Sequence, residues 1–99
     1  MDKSQHLLEK EIAQLRPRIE SEPETVLTIA NQCAAHATQI LYPEGMIQSL
    51  IIMSRCYWAM MDYRKGLKCI KEANSKLTLL DNDDLLPEIL HLHALHYWG

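Results

Sequence analysis

Three histidines near the C-terminus, His91, His93 and His96, have the residue type and spacing that come nearest to a metal site. On a helix, His93 and His96 are three positions apart and share a face, whereas His91 lies about 200° away from His93 around the axis. One ion therefore cannot bind all three imidazoles of a single chain in the tetrahedral geometry of zinc. Because no carboxylate completes an H-E-x-x-H arrangement either, we predict no metal site.

The three cysteines, Cys33, Cys56 and Cys69, are odd in number and far apart, and the sequence contains no C-x-x-C motif. This spacing argues against a disulfide framework and against a thiolate zinc site. Free cysteine behaves as a small hydrophobic side chain, so we expect three reduced, buried thiols.

The sequence contains no pattern that is typical of catalysis. It has no glycine-rich phosphate loop and no cysteine with an identifiable activating partner. The acidic run at residues 81–84 lacks the alternation and the terminal glutamate of a calcium loop. We expect this chain to be no enzyme by itself and to bind no cofactor.

Composition favours helices over sheets, because 47% of the 99 residues are apolar while the chain has only three glycines and no phenylalanine. A net charge of -3 gives no reason to expect a nucleic-acid partner. The charged start lacks the apolar core of a signal peptide, and no apolar run approaches the ~20 residues of a membrane span. These features predict a cytoplasmic protein without a membrane partner.

Hydrophobic spacing and helix breakers divide the chain into five helices within a single domain. The predicted helices cover residues of about 3–16, 22–40, 43–60, 63–80 and 84–98. For the second helix, Ser21 and Glu24 form a capping-box pattern around Pro23, which is tolerated in a first turn. The short connections indicate antiparallel neighbours. The fourth helix carries five outward basic residues, which we interpret as a solvated surface: Arg64, Lys65, Lys68, Lys71 and Lys76.

A shift of forty positions superimposes the third helix on the fifth. It places Leu50 on Leu90 and Ser54 on Ala94, and it superimposes the two Tyr-Trp pairs at residues 57–58 and 97–98. A unit of two helices and about forty residues is typical of a helical-hairpin repeat.

Within this repeat the sequence resembles the tetratricopeptide repeat (TPR) family. The residues that carry the resemblance have the family's small, aromatic and turn positions: Ser54, Tyr57, Asp62, Tyr63, Gly66, Ile70 and Ala73. The match covers residues 43–98, and the first helix, which contains Pro17, fits the family only as an atypical cap. The resemblance implies an all-α fold in which antiparallel hairpins stack as a right-handed solenoid.

In TPR proteins the first helix of each hairpin lines a concave groove that binds a protein or peptide. Carried over to this chain, the resemblance places eight residues in the groove: Gln48, Ile51, Arg55, Trp58, Glu88, His91, Leu95 and Trp98. Trp58 and Trp98 would then either contact a ligand or pack against the adjoining helix.

The fifth helix has more apolar residues than one hairpin can cover, and the chain ends on Tyr-Trp-Gly. We therefore expect a fragment cut within a repeat, which forms a homo-oligomer through the exposed helix at Leu92, Leu95 and Trp98.

The stretch from residue 41 to residue 74 is similar in style to N-terminal regions of bacterial signalling proteins that precede a GGDEF-type diguanylate cyclase domain. The resemblance implies a sensory or dimerising regulatory module, with catalysis elsewhere in a longer protein. A purely structural dimerisation segment of a transcriptional regulator or a histidine kinase stays open as the alternative.

Overall fold

The computed structural model describes residues 3–77 and 86–98, although of Leu86 and residues 96–98 it describes only the backbone. The described residues form five α-helices: α1 (Lys3–Leu15), α2 (Pro23–Gln39), α3 (Pro43–Ala59), α4 (Tyr63–Lys76) and α5 (Leu86–Trp98). A short 3-10 helix, Arg16–Arg18, follows α1, and the described residues contain no strand. The prediction of an all-α fold with five helices is confirmed. The predicted ends at residues 80 and 84 lie outside the described part of the chain.

The first turns of α2 and α3 begin with proline, whose missing N–H costs little at that position. The predicted capping box at Ser21 was wrong, because α2 has Glu22 at its N-cap position and no side-chain cap. The Ser21 hydroxyl donates instead to the Arg18 carbonyl at 3.4 Å. Arg18 Nε also binds the Glu22 carboxylate at 3.0 Å. The preceding 3-10 helix therefore holds both side chains that could have capped α2.

Helix α3 lies at the centre of the fold and is buried on two opposite faces. Ile52 and Cys56 pack in a core formed with α1 and α2. Ile47 and Ile51 belong to a second core formed with α4 and α5. No helix among the described residues is long and apolar enough to cross a lipid bilayer.

Small residues allow α3 to approach both of its neighbours in sequence. The buried Ser54 hydroxyl donates to the Gly66 carbonyl of α4 at 3.1 Å. On the other side, a Cβ atom at Gly45 would lie 2.7 Å from the Tyr42 ring and 3.2 Å from the Ala37 Cβ. Larger side chains at these positions would force the helices apart, since protein cores are packed without slack.

Two turns, one at each end of α3, place a large apolar residue in the left-handed backbone conformation. Leu41 has φ 55° and Met61 has φ 64°. In both turns the next residue donates to a carbonyl five positions earlier, at 2.9 Å for Tyr42 and 2.8 Å for Asp62. This is the Schellman arrangement that usually has glycine at the left-handed position. The side chains of Leu41 and Met61 are 80% and 75% exposed, so packing does not offset the strain.

Two fully buried serines of α3 provide a matched pair for testing the packing. Ser54 donates to a neighbouring helix, whereas the Ser49 hydroxyl has no hydrogen-bond partner among the described residues. We expect Ser54→Ala to lower the free energy of unfolding by ~1 kcal/mol, the net value of one hydrogen bond. Ser49→Ala should leave it unchanged or raise it. Urea denaturation of both variants measures the difference, and equal losses would contradict it.

Glycine at either left-handed position should stabilise the protein. A left-handed residue other than glycine costs ~1–2 kcal/mol, while glycine loses ~0.5–1 kcal/mol in chain entropy. Leu41→Gly and Met61→Gly are therefore each expected to raise the free energy of unfolding by ~0.5–1 kcal/mol. Thermal denaturation followed by circular dichroism tests this, with Leu41→Ala as a control that keeps the strain. A lower melting temperature for the glycine variants would contradict the argument.

Candidate functional site

A cleft of about 110 Å³ lies where the end of α3 meets α5 and the segment after the 3-10 helix. The lining residues come from all three parts: Ile19 and Glu20, then Arg55, Trp58 and Ala59, then Leu92 and Leu95. Most of them are apolar, with Arg55 and Glu20 as the charged exceptions. Such a cleft suits an apolar group of a ligand that also carries a few polar contacts.

Trp58 is the largest side chain of the cleft and is 42% exposed. Its ring meets the Tyr63 ring edge to face, with the ring centroids 6.5 Å apart and the planes at 62°. Tyr63 begins α4, so this contact connects the cleft to the α3–α4 turn. A half-exposed indole beside an apolar cleft is typical of a binding hot spot, because a rigid aromatic ring gives much contact area at little entropic cost.

Two arginines bind a single carboxylate beside this cleft. Glu88, in the first turn of α5, accepts from Arg16 Nη1 and Nη2 at 3.0 and 3.1 Å. Its Oε2 also accepts from Arg55 Nε and Nη2 at 3.1 and 2.7 Å. The carboxylate therefore joins α5 to both α3 and the 3-10 helix. The three charges sum to +1, so the group keeps one positive charge in excess.

Burial raises the pKa of the Glu88 carboxyl, but the hydrogen bonds and charges of Arg16 and Arg55 outweigh this effect and lower the pKa below its usual value. Glu88 is thus ionised at neutral pH. It also lies at the N-terminal end of α5, where a negative charge is favoured by the helix dipole.

The structure brings together four of the eight residues predicted for the groove. Arg55, Trp58 and Leu95 line the cleft, and Glu88 contacts it through Arg55. These four residues were predicted from the resemblance to the TPR family.

The other four predicted groove residues do not line the cleft. Ile51 is fully buried in the core, so its place in a groove was wrong. Gln48 is half-buried and donates to Glu44 at 3.3 Å. His91 is exposed on α5 but away from the lining residues, and the side chain of Trp98 lies outside the described residues.

The structure also contradicts part of the predicted self-association surface. Leu92 is 1% exposed and packs in the second core, so it cannot contact another chain from the surface. Leu95 is half-buried in the cleft, and the Trp98 side chain again lies outside the described residues. Among the α5 side chains that the structure describes, Leu90 is the large apolar one that is exposed to solvent, at 59%.

Four residues of the site were not predicted from the sequence: Arg16, Ile19, Glu20 and Ala59. Ile19 and Glu20 lie between helices, where no hydrophobic period applies. The one available signal for Arg16 was charge, since Glu88 is the only charged residue of α5 and needs a partner when it is half-buried.

The described residues contain no group of three or more metal-ligating side chains, and the side chain of His96 lies outside them. Cys33, Cys56 and Cys69 are free and buried, and burial raises the pKa of each thiol to about 11. Protonated, buried thiols are poor nucleophiles.

The chain matches no known protein-family model, and neither a curated protein nor a solved structure is significantly similar to it.

The Glu88 pair with Arg16 and Arg55 should make stability depend on pH. Because the pKa of Glu88 is lowered on folding, its contribution is fully present above the unfolded value of about 4.3 and is lost as pH falls through the folded value. We expect Glu88→Gln to lower the free energy of unfolding by ~1 kcal/mol at pH 7. Hydrogen bonds to charged groups stabilise a fold more than neutral ones do, but the partial exposure of both arginines reduces this contribution.

The difference between Glu88→Gln and the wild type should shrink as pH falls below about 4. Urea denaturation from pH 7 to pH 3 measures it. Glu72→Gln, which changes an exposed carboxylate of α4, is the control and should follow the wild-type profile. A constant difference between Glu88→Gln and the wild type over this range would contradict the assignment.

Proposed function

We propose that this chain is a non-catalytic, TPR-like protein-interaction module whose cleft beside Trp58 receives an apolar side chain of a protein or peptide. The observation that carries the proposal is the half-exposed Trp58 beside a cleft with an apolar lining. No nucleic acid, membrane or cofactor is required.

The TPR-like architecture, a right-handed solenoid of hairpins, belongs to the same proposal. Its support is the seam between α3 and α4, where Ser54 reaches the Gly66 carbonyl at 3.1 Å. The small residues required by the family pattern therefore occur where two helices make a close approach. Ala73, the third small residue of the pattern, is fully buried.

We further propose that the module regulates a longer bacterial signalling protein of the cytoplasm, as the resemblance to regions that precede GGDEF domains implies. In that setting the cleft is the sensory or dimerising element, and catalysis takes place outside these residues.

The alternative function is a purely structural dimerisation segment of a transcriptional regulator or a histidine kinase. The observation that favours it is Leu90, which is 59% exposed on a helix that has Glu88 as its only charged residue. The two functions predict different sensitive residues, Trp58 for the interaction module and Leu90 for the structural segment.

A peptide-display selection against the immobilised chain tests the interaction module. Trp58→Ala should weaken the binding of selected peptides by ~30-fold or more, because truncation of a hot-spot residue costs ~2 kcal/mol. Leu90→Ala is the control and should bind like the wild type. Fluorescence anisotropy with labelled peptides gives the affinities, and circular dichroism verifies that both variants are folded. Equal binding by Trp58→Ala and the wild type would exclude the cleft as the site.

A further inference from the structure

Two residues of opposite charge, Glu20 and Arg55, line the cleft beside Trp58 without pairing with each other. Glu20 is exposed, and no cation among the described residues lies within ion-pair distance of it. Arg55 binds Glu88 instead, at 2.7 Å. The cleft therefore has one carboxylate whose charge no group in the described part of the chain balances.

Arg55 has its charge balanced but keeps a hydrogen-bond donor. Its Nε and Nη2 both donate to Glu88 Oε2, at 3.1 and 2.7 Å, while Nη1 donates to no acceptor among the described residues. A ligand carboxylate bound to Nη1 would lie beside the Glu88 carboxylate, and two like charges at such a distance disfavour each other. A neutral carbonyl avoids this repulsion, so it is the acceptor that suits Arg55.

The cleft takes one side chain and not a whole ligand molecule. Its volume of about 110 Å³ is well below the ~300–1,000 Å³ of pockets that enclose drug-sized molecules. Ile19, Ala59 and Leu95 give it apolar walls, and its most deeply buried lining residue is Leu92, which is 1% exposed. An aliphatic side chain suits this lining.

A ligand that satisfies the whole cleft must have an aliphatic side chain, a cation and a neutral carbonyl next to one another. The N-terminal residue of a peptide has this arrangement, because its Cα bears the side chain, the α-ammonium and the carbonyl carbon. A lysine side chain fits less well. Its charge is at its far end, where it would meet the buried Leu92 and not the exposed Glu20.

We propose that the cleft binds the free N-terminus of a protein or peptide whose first residue is aliphatic. The side chain of that residue occupies the cleft, its α-ammonium pairs with Glu20, and its carbonyl accepts from Arg55 Nη1. This inference rests on the proposed function, because it names the chemistry of the partner for the same cleft. Trp58, which is 42% exposed, then contacts the residues that follow the first one.

Two labelled peptides that differ only at the N-terminus test the role of the charge. The probes are Leu-Gly-Ser-Gly-Ser with a fluorophore at its C-terminal end and the same peptide with an acetylated N-terminus. Fluorescence anisotropy should show that the free peptide binds the wild type at least ~10-fold more tightly, because acetylation removes a charge-assisted hydrogen bond. Glu20→Gln should weaken the free peptide by a similar factor and leave the acetylated peptide unchanged, since the latter has no cation to lose.

Glu72→Gln is the matched control, because it removes an exposed carboxylate from α4, a helix that contributes no residue to the cleft. It should bind both peptides like the wild type. Free leucine should compete poorly, since its carboxylate would lie beside Glu88. Failure of the free peptide to bind, equal affinity for the two peptides, equal losses in Glu20→Gln and Glu72→Gln, or competition by leucine at the affinity of the peptide would each overturn the proposal.

The peptides chosen by display separate this proposal from the proposed function. Each is synthesised with a free and with an acetylated N-terminus. If Trp58→Ala weakens their binding while acetylation and Glu20→Gln do not, the interaction module stands and the recognition of an N-terminus fails.

Discussion

Helix α3 has to bury apolar side chains on two opposite faces, and the remaining helices are arranged to meet that need. Ile52 and Cys56 require cover on one side, and Ile47 and Ile51 require it on the other. Because exposing one large aliphatic side chain costs ~1.5–3 kcal/mol, neither face can be left to solvent. α1 and α2 cover the first face, and α4 and α5 cover the second. The close approaches at Gly45 and Ser54 then set the distance of α3 from its two neighbours.

The position of α5 depends on a charge as well as on packing. Ile89 and Leu92 anchor it in the second core, but α5 is apolar nearly all round, so packing alone defines its rotation poorly. Glu88 removes this ambiguity, because its carboxylate accepts four hydrogen bonds from Arg16 and Arg55. The same interaction orients Arg55 at the cleft. One polar contact therefore connects the stability of the fold to the geometry of the site.

Strain and exposure occur together at the turns on either end of α3. A helical hairpin needs a residue in the left-handed conformation to satisfy the last carbonyls of a helix, and Leu41 and Met61 have that role here. Both retain large exposed apolar side chains. The ends of the hairpins thus offer apolar contacts, whereas the outer face of α4 is occupied by charged residues.

The sequence by itself determined the helical class, the number of helices and most of their ends, because apolar period, proline and short turns are local signals. The resemblance to the TPR family also predicted that Arg55, Trp58, Glu88 and Leu95 lie in one groove. Only the tertiary structure decided which residues of α5 point inward: Leu92 was predicted at the surface but is buried, because α3 and α4 together cover that side. The same holds for the capping of α2, the positions of Ile19 and Glu20, and the pairing of Arg16 with Glu88. These depend on contacts between residues up to 72 positions apart, which a local pattern cannot specify.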